Sequence, residues 1–184
     1  MKILKLPHPA TVEDLLALDE KAELVDGQIV LMGGNGLATN RPNQLIWMAL
    51  YFHELEHGGG HAVGDKGVFL VHLPHRESLS PDVAWFVGTH TDPAFGGPPA
   101  LAVEVRSPGD YGLRAERSMA AKRTEYFAAG TAVVWDVDVL REQVIRVYRP
   151  DDAEPTVYRR GEVAEAEPAV PGWRFPVNTL FRTA

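Results

Sequence analysis

Two apolar segments of this sequence each place one carboxylate where a strand would present it. In Ser80-Pro81-Asp82-Val83-Ala84-Trp85-Phe86-Val87, strand alternation sends Val83, Trp85 and Val87 to one side and Asp82 and Ala84 to the other. In Leu101-Ala102-Val103-Glu104-Val105-Arg106, Leu101, Val103 and Val105 share one face, and Ala102, Glu104 and Arg106 share the opposite one. If the two strands pair, Asp82 and Glu104 converge on one sheet face, where the small Ala84 and Ala102 leave room. Two carboxylates over an open floor suit a hard divalent cation such as Mg²⁺ or Mn²⁺. Two acids that are merely solvated at strand ends would read the same way.

The segment from Leu113 to Ala128 has helical periodicity and is closed by Gly130. Ala115, Met119, Lys122 and Tyr126 fall on one stripe of it. A lysine there either snorkels to solvent or meets a buried acid. In the second case it could orient a water or stabilise developing negative charge. A different chemistry is offered by His53-Glu54-Leu55-Glu56-His57, an H-E-x-x-H pattern in which two histidines one turn apart can hold zinc beside a glutamate base. That pattern ends against Gly58-Gly59-Gly60, and His61 is too near for the extended spacing, so a solvated helix end fits it better than a zinc peptidase does. His72 and His75 read as loop and surface residues, and Trp47, Trp85, Trp135 and Trp173 as core.

The elements that must position these residues follow from pattern. Thr11 starts a short helix, with Asp14 in a capping-box arrangement. Ala22 to Met32 reads as a hairpin turning at Asp26-Gly27, followed by the glycine loop Gly33-Gly34-Asn35-Gly36. Pro42 to His57 reads as a helix with Leu45, Met48, Ala49, Phe52 and Leu55 on one face. Strands are expected over 67–72, 79–87, 101–106, 132–137 and 143–148, with a Gly/Pro-rich loop over 88–99. The polar stretch 150–170 suggests a short hairpin and a loop, and the apolar tail 171–181 should pack back on the domain. This order predicts a mixed α/β sheet, not a regular doubly wound one.

The same residues, taken in order, form a larger pattern. The chain reads Ala22-Glu23-Leu24-Val25-Asp26-Gly27-Gln28-Ile29-Val30, then Ser80-Pro81-Asp82-Val83-Ala84, then Val103-Glu104-Val105-Arg106-Ser107-Pro108. Lys122, Tyr126 and Ala129-Gly130 follow, then Val134-Trp135-Asp136, Val147-Tyr148-Arg149, and Pro171-Gly172-Trp173 with Leu180-Phe181. Over nearly the whole chain this ordered set resembles the Uma-type (Uma2-like, DUF820) restriction endonuclease family of the PD-(D/E)XK nuclease superfamily. The resemblance implies a restriction-endonuclease-like mixed β-sheet core flanked by helices, with an N-terminal helix and β-hairpin. It implies Asp82 and Glu104 as ligands of Mg²⁺ or Mn²⁺, Lys122 as a catalytic lysine moved onto the helix, and Glu23 as an auxiliary acid. The superfamily's usual lysine position falls on Arg106, which stays protonated and so can clamp a phosphate but is a poor base. The family often has a histidine near the start of the helix after the hairpin; here that region reads Asn40-Arg41-Pro42-Asn43-Gln44. The implied activity is metal-dependent hydrolysis of DNA phosphodiesters. The rival from the same resemblance is a nuclease-like module without turnover that binds nucleic acid or protein.

Composition bounds these readings. A length of 184 residues fits a single domain over 1–184. The absence of cysteine excludes disulfides, thiolate metal sites and Cys nucleophiles. No apolar run approaches a bilayer span, and Lys5 and Pro7 interrupt any signal-like start, so a cytoplasmic protein without a membrane is expected. A net charge of −7 argues against coating nucleic acid by bulk electrostatics. Residues 106–123 nevertheless hold five cations (Arg106, Arg114, Arg117, Lys122 and Arg123) against two acids, Asp110 and Glu116. A homodimer is expected from exposed sheet edges and the apolar tail.

Overall fold

The computed structural model describes residues 2–33, 36–89 and 93–181, except the side chain of Ala38. Gly34 and Asn35 of the glycine loop, and residues 90–92 of the Gly/Pro-rich loop, lie outside the described residues. In chain order the elements are β1 (Lys2–Leu4), α1 (Val12–Leu16), β2 (Ala22–Val25), β3 (Gln28–Leu31), α2 (Leu37–His57), β4 (His61–Val63), β5 (Phe69–Leu73), β6 (Arg76–Leu79) and β7 (Val83–Phe86). They continue with β8 (Phe95–Gly96), β9 (Leu101–Val105), α3 (Leu113–Ala129), β10 (Val133–Asp138), β11 (Val144–Tyr148), β12 (Thr156–Arg159), β13 (Val163–Glu165) and β14 (Arg174–Pro176). A 3₁₀ turn over Val177–Phe181 follows.

Two six-stranded mixed sheets result. The first runs β1-β3-β2-β6-β5-β8 and the second β12-β11-β10-β9-β7-β4. Neighbours are antiparallel except β5 with β8 and β9 with β10. A parallel pair needs a long crossover, and α3 supplies it between β9 and β10. Local chemistry sets the joints. Thr11 caps α1, accepting from the Asp14 N–H at 3.3 Å while the Asp14 carboxylate accepts from the Thr11 N–H at 2.9 Å. The β2–β3 turn places Asp26 at φ 49° and Gly27 at φ 66°, the left-handed pair that a two-residue hairpin turn requires.

The second sheet buries both faces. Val83, Trp85, Val103, Val105, Trp135 and Val137 pack under α2, where Trp173 and Phe175 of the tail close the core. Trp135 and Trp173 stack with ring centroids 5.1 Å apart. Ala84, Ala102 and Val134 face the other way, toward Tyr126 of α3. The alternation expected of the two acid-bearing strands is therefore what the sheet shows.

Three expectations change. The strand expected over 79–87 is two strands, β6 in the first sheet and β7 in the second. Pro81 has no N–H to give a ladder, and the chain changes sheets at Ser80-Pro81-Asp82. Helix α2 starts at Leu37, so Pro42 lies inside it. The apolar face expected for that helix is also turned around: Ile46 and Leu50 are buried, while Met48, Phe52 and Leu55 are exposed. The helix is apolar on two sides, and the sheet covers the other one.

Candidate active site

The change of sheets at residues 80–82 brings the two carboxylate strands beside the hairpin. β7 and β9 pair antiparallel with Val83 opposite Val103 and Ala84 opposite Ala102. One further step of that register sets Asp82 against Glu104, and directly opposed residues hold their Cβ atoms about 5 Å apart. The backbone locks the register there: the Asp82 N–H donates to Val103 O at 3.0 Å, and the Val105 N–H donates to Asp82 Oδ2 at 2.8 Å. Glu23 of β2 joins them from the first sheet. Its Oε1 accepts the Ser80 N–H at 2.9 Å, and its Oε2 accepts from Arg76 at 2.6 Å.

Helix α3 closes the cluster from above. Lys122 Nζ lies 2.8 Å from Glu104 Oε1 and 3.0 Å from Glu23 Oε1. One turn later the Tyr126 hydroxyl donates to Glu104 Oε1 at 2.6 Å. The stripe spacing of four residues thus delivers both side chains to one carboxylate. Lys21, just before β2, sets its ammonium 2.7 Å from Asp82 Oδ1 and 2.7 Å from Asp65 Oδ1. Lys21, Glu23, Asp82, Glu104, Lys122 and Tyr126 line a cleft of about 570 Å³.

Charge and burial give the carboxylates different characters. Burial pushes the Glu104 carboxyl above its ordinary value, and the negative charges of Asp82 and Glu23 add to this against the pull of Lys122 and Lys21. Burial would also raise Glu23, but Lys122, Arg76 and the Ser80 N–H outweigh it and hold Glu23 below its ordinary value. Burial opposes the charge on Lys122, yet Glu104 and Glu23 hold its affinity for the proton above the ordinary value. Lys122 is therefore an ammonium at neutral pH, able to donate and to neutralise but not to act as a base. Burial first and then Glu104 raise Tyr126 well above its ordinary value, so its hydroxyl remains a donor.

The chemistry of the carboxylates is that of ligands to a hard divalent ion. Asp82 and Glu104 could each offer a carboxylate oxygen to such an ion. No group of three or more His, Asp or Glu side chains among the described residues could hold a metal ion. The protein would therefore give two carboxylates and leave the other positions to water and phosphate oxygens, as Mg²⁺ commonly accepts.

The structure gathers Asp82, Glu104, Lys122 and Glu23 at one cleft. Arg106 is at its edge but turned inward. Its Nε and Nη2 each donate to Asp136 at 2.6 Å, and Nη1 and Nη2 reach the two oxygens of Glu116. Four of its five N–H bonds are so used, which leaves one for a phosphate. Arg123 lies over the Tyr148 ring at 4.1 Å and 3.8 Å from Asp136. Of the basic segment's five cations, only Arg114 and Arg117 are exposed. Within H-E-x-x-H, Glu54 serves the fold: it accepts the Ala62 N–H at 2.7 Å and pairs with His61 at 3.0 Å, clasping α2 to β4, while the His53 and His57 rings stack 4.5 Å apart.

Sequence reasoning missed Lys21, Asp65 and Arg76. Lys21 left a signal, since it lies two residues before Glu23 and alternation puts both on one side of the hairpin. Arg76 and Asp65 left none, because their places depend on how the sheets meet.

Two mixed sheets flanked by helices thus set Asp82, just ahead of β7, opposite Glu104 of β9. The structure is similar to the crystal structure of a putative nuclease belonging to DUF820 from Anabaena variabilis, with a TM-score of 0.75, 18% sequence identity, and coverage of 94% of this chain and 98% of that one. At that identity the likeness speaks for the fold. The family model described as "Uma2: Putative restriction endonuclease" matches residues 11–178, and the chain belongs to that family. None of the curated proteins matches the chain.

Proposed function

We propose that this chain is one nuclease-like domain, a metal-dependent endonuclease that hydrolyses DNA phosphodiester bonds in the cleft between β2, β9 and α3. The observation that carries this reading is the meeting of three expected side chains: Asp82 opposite Glu104, with the Lys122 ammonium on the latter. When bound there, Mg²⁺ or Mn²⁺ would lower the pKa of a water and polarise the scissile phosphate. Lys122, fixed between Glu104 and Glu23, neutralises charge developing on the phosphate oxygens. Glu23 is the auxiliary acid that holds Lys122 in place, and Tyr126 orients Glu104. Arg106 serves the site by holding Asp136 rather than by clamping phosphate. Further parts of the reading are a homodimer and a cytoplasmic setting; no described helix is long and apolar enough to cross a membrane.

One observation favours a second reading, a binding module without turnover: Asp82 Oδ1 already has a cation, Lys21, at 2.7 Å. Cleavage of plasmid DNA under Mg²⁺ or Mn²⁺ separates the two. Asp82→Ala should lower the rate about a hundredfold or more. An Asp82→Ala protein that cuts as well as the parent would overturn the nuclease reading, and a parent that binds DNA without cutting would establish the module.

A further inference from the structure

The geometry points to Lys21 as a resident counter-ion of Asp82 that an incoming divalent cation must displace, with Asp65 as the group that receives it. This rests on the reading of Asp82 and Glu104 as the metal-holding pair.

The two lysines of the cleft are held differently. Lys122 bridges Glu104 and Glu23, and Glu23 is itself fixed by Arg76 and the Ser80 N–H, so that ammonium has nowhere else to go. Lys21 bridges Asp82 and Asp65 at 2.7 Å each. The Asp82 side chain is 12% exposed and the Asp65 side chain 39% exposed, so the two partners sit in different surroundings. Asp82 Oδ2 is tied to the backbone of Val105, which leaves Oδ1, the oxygen Lys21 occupies, as the one free to reorganise. A cation arriving at Oδ1 would repel an ammonium a hydrogen bond away. The flexible four-carbon stem lets the ammonium keep its bond to Asp65 while giving up Asp82. Metal-free, Lys21 keeps Asp82 from lying buried and unpaired. Metal-loaded, its charge would be held by the more exposed Asp65 alone.

An ordinary structural ion pair would behave otherwise, since its loss would cost stability and leave cation affinity unchanged or weakened. Calorimetric titration of the full chain with Mn²⁺, without DNA, separates the cases. Lys21→Met should tighten Mn²⁺ binding about tenfold, within the usual range of coupling between mutually exclusive sites. Asp65→Asn should weaken it several-fold, because Lys21 then has Asp82 alone. Lys21→Met binding that equals or falls below the parent's would overturn the displacement while leaving the metal pair intact. If neither parent nor Lys21→Met binds Mn²⁺, the metal pair itself fails and this inference with it. Should Lys21→Met not fold, Lys21→Gln and the rise of Tm with added Mn²⁺ give the same comparison. A rise larger than the parent's is expected, and an equal or smaller one refutes displacement.

Discussion

Glu23 and Glu104 share one ammonium yet are opposed in what they contribute. Glu23 is held below its ordinary value because Lys122, Arg76 and the Ser80 N–H outweigh its burial. A carboxylate lowered in the folded state stabilises the fold above its unfolded value, about pH 4.3, and loses that contribution as pH falls through its folded value. Glu104 is raised by burial and by its acidic neighbours, so its contribution has the other sign and is lost as pH rises through the folded value. Glu23→Gln should therefore cost about 3 kcal/mol at neutral pH, by leaving Arg76 and Lys122 short of a buried partner. Glu104→Gln should cost less. Urea unfolding of parent and Glu23→Gln from pH 7 down to about pH 3 should show their difference narrowing toward acid; a constant difference would refute the assignment. At this scale Asp82, Glu104 and Lys122 were legible because strand alternation and helical spacing are local rules. Arg76 was not, because its partners Glu23 and Glu125 lie on other elements.

The elements around the cleft are held at one point by Arg106. It follows β9, grips Asp136 of β10 with two bonds, and reaches Glu116 in the first turn of α3. One planar guanidinium thus fixes the parallel pair and its crossover helix, and with them the position of Lys122. A lysine has no fork and cannot reproduce the grip. Arg106→Lys and Arg106→Met should each cost about 3 kcal/mol or more, since either leaves the buried Asp136 poorly paired. Mn²⁺ affinity of the folded protein should stay at the parent's value. Denaturant unfolding and calorimetry check the two halves. A variant as stable as the parent that binds DNA more weakly would restore the phosphate clamp. Strand and helix types were largely legible here, down to the Gly130 stop of α3. The division of 79–87 between two sheets was not, because an apolar run broken by a proline does not say where each half pairs.

For the whole molecule, self-association turns on α2. The apolar tail expected to support a dimer is spent internally, with Trp173, Phe175 and Leu180 in the core. Helix α2 has apolar surface to spare. Met48, Phe52 and Leu55 are exposed on the side opposite Ile46 and Leu50, and single exposed apolar residues are common but a contiguous group on one helix face is less so. The stripe has Arg41 at its N-terminal end and Glu56 at its C-terminal end, both exposed. Two copies packed antiparallel about a two-fold axis near Met48 would set Leu45 against Phe52 and Arg41 of one copy beside Glu56 of the other, the self-complementary arrangement of an isologous dimer. α2 covers the face of the second sheet turned away from Tyr126 and the cleft, so both clefts would stay open to substrate. Light scattering after gel filtration should give a dimer for the parent and a monomer for Phe52→Glu, with Mn²⁺ affinity unchanged. Arg41→Glu should weaken the dimer, and adding Glu56→Arg should restore it, because the swap exchanges the two charges while keeping them opposite. A parent that runs as a monomer, or a double variant no better than Arg41→Glu alone, would show that this face is not covered by a second copy in that way.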